Sequence, residues 1–266
     1  MNMTKKALQM TAGALFSSLI TINAYSEALV SDAASPGDSD SKWVVGGYIG
    51  GMTNPYADED SLGFLTPNIE YRGETFFIGD GELGVTLYRT HGFSFGAVLT
   101  GQYSYLSDKD EYDDNEKLDG LKERDGTLDA GLYATYTNEM GRLKLTVLDE
   151  ITGEHGGQSA DLHYTFDFKY SDWNINPTVG ATWASAESVD HFYGVSNQEA
   201  NGHRDAYKGK SALNWYAGIR GRYEITENWD VDLNAAYVFL GDGIKDSSIV
   251  DEDGLFISSV GVNYNF

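Results

Sequence analysis

The stretch "NWDVDLNAAYVFL", Asn228 to Leu240, decides how the whole chain is read. Trp229, Val231, Leu233, Ala235, Tyr237 and Phe239 fall on one parity, and Asn228, Asp230, Asp232 and Asn234 on the other. A helix would scatter these two sets around its axis, whereas the period of two in a strand separates them cleanly. The same split recurs upstream. "ALNWYAGIRGRYEI", 212–225, sets Leu213, Trp215, Ala217, Ile219, Tyr223 and Ile225 against Asn214, Tyr216, Gly218, Arg220, Arg222 and Glu224. "DWNINPTVGATWA", 172–184, and "ADLHYTFDFKY", 160–170, alternate in the same way.

A soluble β-sandwich also alternates, and three features decide against it. These runs are 10 to 13 residues long, against about 5 or 6 in soluble strands and roughly 9 to 11 for a tilted strand crossing a bilayer. Aromatic residues stand at strand ends, with Tyr170 and Trp173 around one turn and Tyr223 and Trp229 around another, as in an interfacial girdle. Connections alternate in length. Short turns fall near 72–73, 90–91, 138–141, 171–172 and 226–228, and long stretches near 53–63, 106–125, 149–158, 186–211 and 240–253. Only the connection at 79–81 breaks the pattern, by being tight.

Short periplasmic turns and long external loops describe a transmembrane antiparallel barrel. Twelve strands are predicted: 42–52, 64–72, 74–79, 82–89, 92–105, 127–137, 142–149, 159–170, 172–185, 212–225, 228–240 and 254–266. Ten is the fallback if 74–79 and 82–89 do not span separately. The final strand must close the sheet on the first, because an open edge in hydrocarbon costs several kcal/mol per unsatisfied backbone group. Its end, with Val262, Tyr264 and Phe266 on one face, resembles the C-terminal signal that barrel-assembly machinery reads. The expected location is the outer membrane, in contact with its lipid and lipopolysaccharide.

Composition agrees. The chain has 266 residues, 41% hydrophobic and 13% aromatic, too apolar for a disordered segment. Residues 1–26 read as a signal peptide cleaved after Ser26: Lys5 and Lys6 precede an apolar stretch, and Ala24-Tyr25-Ser26 supplies small-x-small. A short flexible segment, 27–41, then leads into a barrel over 42–266. Cleavage removes two of the 18 basic residues and none of the 41 acids, leaving a net charge of −25. Nucleic-acid binding, which needs a basic face, is excluded. With no cysteine, thiolate metal sites and Cys nucleophiles are excluded as well.

Several blocks resemble the MipA/OmpV family: "GFLTPNIEYRGETFFIGDGELGVTLYRTHGFSFGA" (63–97), "LDGLKERDGTLDAGL" (118–132), "GEHGGQSADLHYTF" (153–166), and "FYGVSNQEA" (192–200) followed by "AYKGKSALNWYAGI" (206–219). The likeness covers roughly Trp43 to Phe266. It implies an outer-membrane barrel, one branch being a scaffold for a lytic transglycosylase and a penicillin-binding protein in murein synthesis. Other branches have adhesin-like and general outer-membrane roles. The family brings no catalytic motif.

The residues themselves offer few sites, and no catalytic, cofactor or metal residue is assigned. "SDKDEYDDNEKLDGLKERD", 107–125, holds nine acids and four bases and reads as a solvated external loop. Tyr112 stands where a calcium loop of the EF-hand kind needs a ligand. Of the five histidines, only His163 lies on an inward strand face, with Asp161 and Asp167 on the same face and no serine there. No hydrolase set results. "GEHGGQ", 153–158, reads as turn geometry. The inward charges Arg220, Arg222, Glu224, Asp230 and Asp232 form the candidate lumen cluster. They suit either a satisfied polar core or the lining of a narrow channel for small solutes. A non-enzymatic scaffold is the first functional expectation and the channel the second.

Overall fold

The computed structural model describes residues 43–79 and 81–266; the signal peptide and the 27–41 segment read from the sequence lie outside them. The described residues form thirteen β-segments: β1 (Trp43–Met52), β2 (Leu62–Arg72), β3 (Phe76–Gly79), β4 (Glu82–Thr90), β5 (Phe93–Gln102), β6 (Thr127–Asn138), β7 (Gly141–Glu150), β8 (Gln158–Phe166), β9 (Phe168–Tyr170), β10 (Trp173–Ala184), β11 (Ala212–Glu224), β12 (Trp229–Phe239) and β13 (Gly254–Asn265). β8 and β9 face β10 in one unbroken register, from Thr165 opposite Thr178 to Phe168 opposite Ile175, so they are two parts of one strand. Twelve antiparallel strands therefore close on themselves, with β13 paired to β1 along Val44 to Met52.

The two faces separate as the alternation requires. On β12, Asp230, Asp232 and Asn234 are buried inside, while Trp229, Leu233, Tyr237 and Phe239 are exposed outside. Leu65 on β2 is 75% exposed, a position that only lipid makes favourable. Trp229 and Phe239 bound this band on the 11-residue β12. At about 3.4 Å per residue and a tilt of about 40°, they stand about 26 Å apart along the axis, matching an apolar band of about 25 Å. Trp173 packs on Tyr223 at 5.1 Å and Trp229 on Tyr264 at 5.0 Å at the end carrying the short turns, forming a girdle there.

The sequence-derived strand at 74–79 is the largest departure. β3 has four residues and meets β2 only at Tyr71 and Arg72. Among the described residues, β2 above Tyr71 is paired with β1 alone. Pro67, which has no N–H to give, lies in this one-sided stretch, where proline is tolerated. β5 ends at Gln102 rather than 105, because Ser104 starts a tight turn by accepting the Leu106 N–H.

The long connections do not stand out in solvent. Stretches 53–61, 103–126, 185–211 and 240–253 fold over the mouth, with helices α1 (Ala186–Tyr193) and α2 (Asp242–Lys245) among them. Tyr56, Leu106, Tyr112, Leu118, Val189 and Ile249 are buried there against Tyr216, Val238 and Leu255 of the upper inner wall. The solvated reading of 107–125 is corrected by this: Asp108, Asp110, Asp113, Asp114, Glu116, Asp119, Glu123 and Asp125 are exposed, while Tyr112, Leu118 and Leu121 anchor the segment in an apolar cap.

Candidate functional site: the charged lumen and its cap

Three tyrosines show how twelve strands can be filled from within. Tyr48 of β1 lies across Gly261, its direct partner on β13, and donates to Asp232 Oδ2 on β12 at 2.6 Å. Tyr133 of β6 crosses Gly96 of β5 to Thr86 of β4, with the hydroxyls 2.8 Å apart. Tyr216 of β11 crosses Gly180 of β10 and donates to Asp161 Oδ2 on β8 at 2.9 Å. In each case a Cβ on the glycine would run into the tyrosine ring. Glycine is required by the close approach, and each ring ties three strands together.

Asp232 is the centre of the periplasmic half. It is fully buried and accepts from Arg220 Nη2 at 2.6 Å, Arg222 Nε at 2.9 Å, Arg222 Nη2 at 3.1 Å, Tyr48 Oη and Asn263 Nδ2 at 2.9 Å. Asp230 accepts from Asn263 Nδ2 at 3.0 Å and Asn265 Nδ2 at 2.6 Å, with Arg222 Nε 3.4 Å away. Asn68 of β2 joins Asn263 to Glu70, and Arg72 closes on Glu70 at 2.5 Å. Three guanidiniums thus meet three carboxylates. The cluster is neutral as a whole, which is what makes its burial tolerable.

Of the candidate cluster, Arg220, Arg222, Asp230 and Asp232 lie together. Glu224 does not join them: it is exposed at the periplasmic end and accepts from Asn174 Nδ2 at 2.8 Å. Tyr48, Asn68, Glu70, Arg72, Asn263 and Asn265 complete the cluster and were not found by sequence reasoning. Asn263 and Asn265 stand on β13, the strand after β12, whereas Tyr48, Asn68, Glu70 and Arg72 lie on β1 and β2, far from β11 and β12 in sequence, and only closure of the barrel brings them near.

His163 is fully buried and its Nδ1 lies 2.7 Å from Asp161 Oδ1, while Thr182 donates to Asp161 Oδ2 at 2.7 Å. Asp167 sits apart, exposed, bonded to Asn176. Lys144 and Glu82 form a further buried pair at 3.0 Å. Among the described residues no group of three or more His, Cys, Asp or Glu side chains is placed to hold a metal ion.

The cap has its own polar frame. Arg204 donates to the carbonyls of Lys117, Asp119 and Glu199, each at 2.8 Å. Burial of Glu199 opposes its ionisation, but the N–H groups of Lys122 and Ser196, at 3.0 and 2.9 Å, and the Arg124 charge outweigh it and hold the carboxyl at about 2. The "GEHGGQ" segment turns through Gly153 and Gly156 at positive φ, and its N–H groups at Gly153, His155 and Gly156 all donate to Glu150.

The profile of the family described as MltA-interacting protein MipA matches residues 45–266. The chain is 25% identical over 239 residues to the MltA-interacting protein of Escherichia coli (strain K12), covering 90% of this chain and 96% of that protein. It is 26% identical over 222 residues to outer membrane protein OmpV of Vibrio cholerae, covering 81% of this chain and 83% of that one. Among solved structures, an outer membrane channel from Pseudomonas putida F1 aligns with 87% of this chain and 99% of its own at a TM-score of 0.43 and 15% identity, a likeness too weak to bear on function.

Proposed function

Because the chain belongs to the MltA-interacting protein MipA family and is an outer-membrane β-barrel, we propose that it acts as a non-enzymatic scaffold, presenting its periplasmic turns to murein-cleaving and murein-synthesising enzymes. The observation that carries this is the filled interior. The lumen-facing side chains from Glu70 to Asn263 are buried or half-buried, an ion cluster that is neutral as a whole sits in the lower half, and an apolar cap covers the outer mouth. Such a barrel offers surfaces rather than a passage. A relative that carries interaction with MltA in its name supports a lytic transglycosylase as partner; the penicillin-binding protein is part of the proposal alone.

Crosslinking in intact envelopes followed by pull-down tests this: a lytic transglycosylase and a penicillin-binding protein are expected, and recovery of no murein enzyme rejects the scaffold. The narrow-channel alternative needs both cluster and cap to move aside. It is expected to fail in planar bilayers, with no discrete conductance.

Assembly is part of the same proposal. Val262 and Phe266 are exposed to lipid and Tyr264 packs on Phe266 at 4.8 Å, a continuous outward strip that barrel-assembly machinery can read. Phe266→Ser is expected to lower the amount of heat-modifiable barrel in the membrane. Wild-type levels in that variant would refute the signal.

A further inference from the structure

Residues 151–157 are held on the first turn of α1 by contacts that depend on one proton. Ser185 caps α1, its hydroxyl oxygen accepting the Ser188 N–H at 3.4 Å and the Gln158 N–H at 3.1 Å. Gly157 is buried against Ser188, close enough that a Cβ there would meet the Ser188 backbone. The Gly157 N–H donates to His155 Nδ1 at 2.8 Å. That bond fixes the tautomer: Nδ1 gives its lone pair, so the ring proton of a neutral His155 is on Nε2. Nε2 is buried with no hydrogen-bond partner among the described residues, and its ring packs on His191 at 5.0 Å and Phe192 at 5.8 Å between centroids.

A second proton has only one place to go. It must enter at Nδ1, where the Gly157 N–H already points, so protonation replaces a hydrogen bond by two opposed donors. We propose that His155 is an acid-operated latch, holding residues 151–157 on α1 at neutral pH and releasing them when its imidazole is protonated.

The surroundings point the same way. Burial and the neighbouring His191 push the His155 pKa below its ordinary value, outweighing Glu150 on the preceding strand and Glu187 on α1, which favour the charged ring. Other nearby charges are committed elsewhere. Glu150 is engaged by the N–H groups of Gly153, His155 and Gly156, and Asp190 by the Gly209 N–H at 2.6 Å. Glu154 is exposed. The stretch 103–126 contributes the Asp125 carbonyl, 3.0 Å from His191 Nε2. The same tautomer disfavours a metal between the two histidines, because a metal at His155 Nε2 would drive the proton onto Nδ1.

The sign follows from linkage. The released loop binds its proton at the ordinary histidine pKa of about 6.5 and the docked loop only below that, so acid favours release. One proton per opening raises the opening equilibrium by at most about tenfold for each pH unit below about 6.5.

Hydrogen exchange of the full chain in lipid vesicles, corrected for the intrinsic pH dependence, reads this directly at 151–157 and in the first turn of α1. Between pH 7.5 and 5.5 the wild type is expected to lose protection at both. His155→Asn, whose side-chain oxygen can accept the Gly157 N–H but cannot titrate, is expected to keep it. His191→Gln, which removes the other histidine, is expected to remain acid-sensitive. Constant protection in the wild type, equal acid sensitivity in His155→Asn, or its loss in His191→Gln would each overturn the latch.

Discussion

Replacing Asp232 by Asn removes one charge and one acceptor from the most crowded point of the lumen. Two of its five hydrogen bonds come from Arg222, one from Arg220, one from Tyr48 and one from Asn263. From sequence alone the substitution is expected to be tolerated unless it strands Arg220 or Arg222, and the geometry strands Arg220, whose ion pair is with Asp232, while Arg222 keeps Asp230 at 3.4 Å. The cluster would pass from three cations facing three carboxylates to an excess of one positive charge, and the new amide would turn a donor toward the guanidiniums. Breaking one side of a buried ion pair costs about 3 to 5 kcal/mol. That range is the expected loss, measured by urea unfolding in lipid vesicles with tryptophan emission as the probe. Adding Arg220→Gln removes the stranded cation, so the double variant should be more stable than Asp232→Asn alone. A loss below about 1 kcal/mol, the level of exposed pairs, would mean that water reaches the cluster and that the lumen is wet.

On the opposite face, Leu233→Arg should cost about 2 to 4 kcal/mol in the same assay, the amount for a cation near the bilayer midplane; indifference there would mean Leu233 does not face lipid. Gly261→Val should destabilise more than Tyr48→Phe, because it displaces the whole ring whereas Phe removes one hydrogen bond, a matter of about 1 to 3 kcal/mol for the buried groups left. Equal unfolding midpoints for the two would reject the crossing of Tyr48 over Gly261. Glu199 has its folded pKa depressed to about 2, so its stabilisation is complete above the ordinary carboxyl range and is lost as pH falls from about 4.5 towards 2. Protease cleavage within 103–126 and 185–211 should therefore rise over that interval, and Glu199→Gln should already be cleaved faster at pH 7; an identical pH profile in the variant counts against the role.

How much of this was legible follows from where each signal resides. β11 and β12 could be read residue by residue because lipid on one side and packed polar groups on the other impose opposite chemistry on alternate positions. β1, "WVVGGYIGGM", hides the same alternation, since four glycines carry no side chain to sort. Four of the five cluster residues emerged because one short turn fixes the register of a single hairpin. Tyr48, Asn68 and Glu70 come from the other end of the chain and leave no local trace. The cap was missed for a different reason. Tyr112, Leu118 and Leu121 are spaced without a strand or helix period among nine acids, so composition spoke for solvent while three side chains carried the packing.

Every joint in the barrel wall but one lies, among the described residues, between strands that follow each other along the chain; the exception is the meeting of β1 with β13. The ion cluster straddles that joint. Tyr48 and Asn68 reach from the amino-terminal side to Asp232 and Asn263 on the carboxyl-terminal side. Before the two ends meet, Asp232 lacks the Tyr48 hydroxyl and Asn263 lacks the Asn68 amide, and the open side of the cluster stays in water. Once they meet in any other register, Tyr48 no longer faces Gly261. Dehydrating the interior and fastening the ends are therefore one step. A half-zipped cylinder gains little from partial progress, so the population should consist of finished barrels and unassembled chains with almost nothing between.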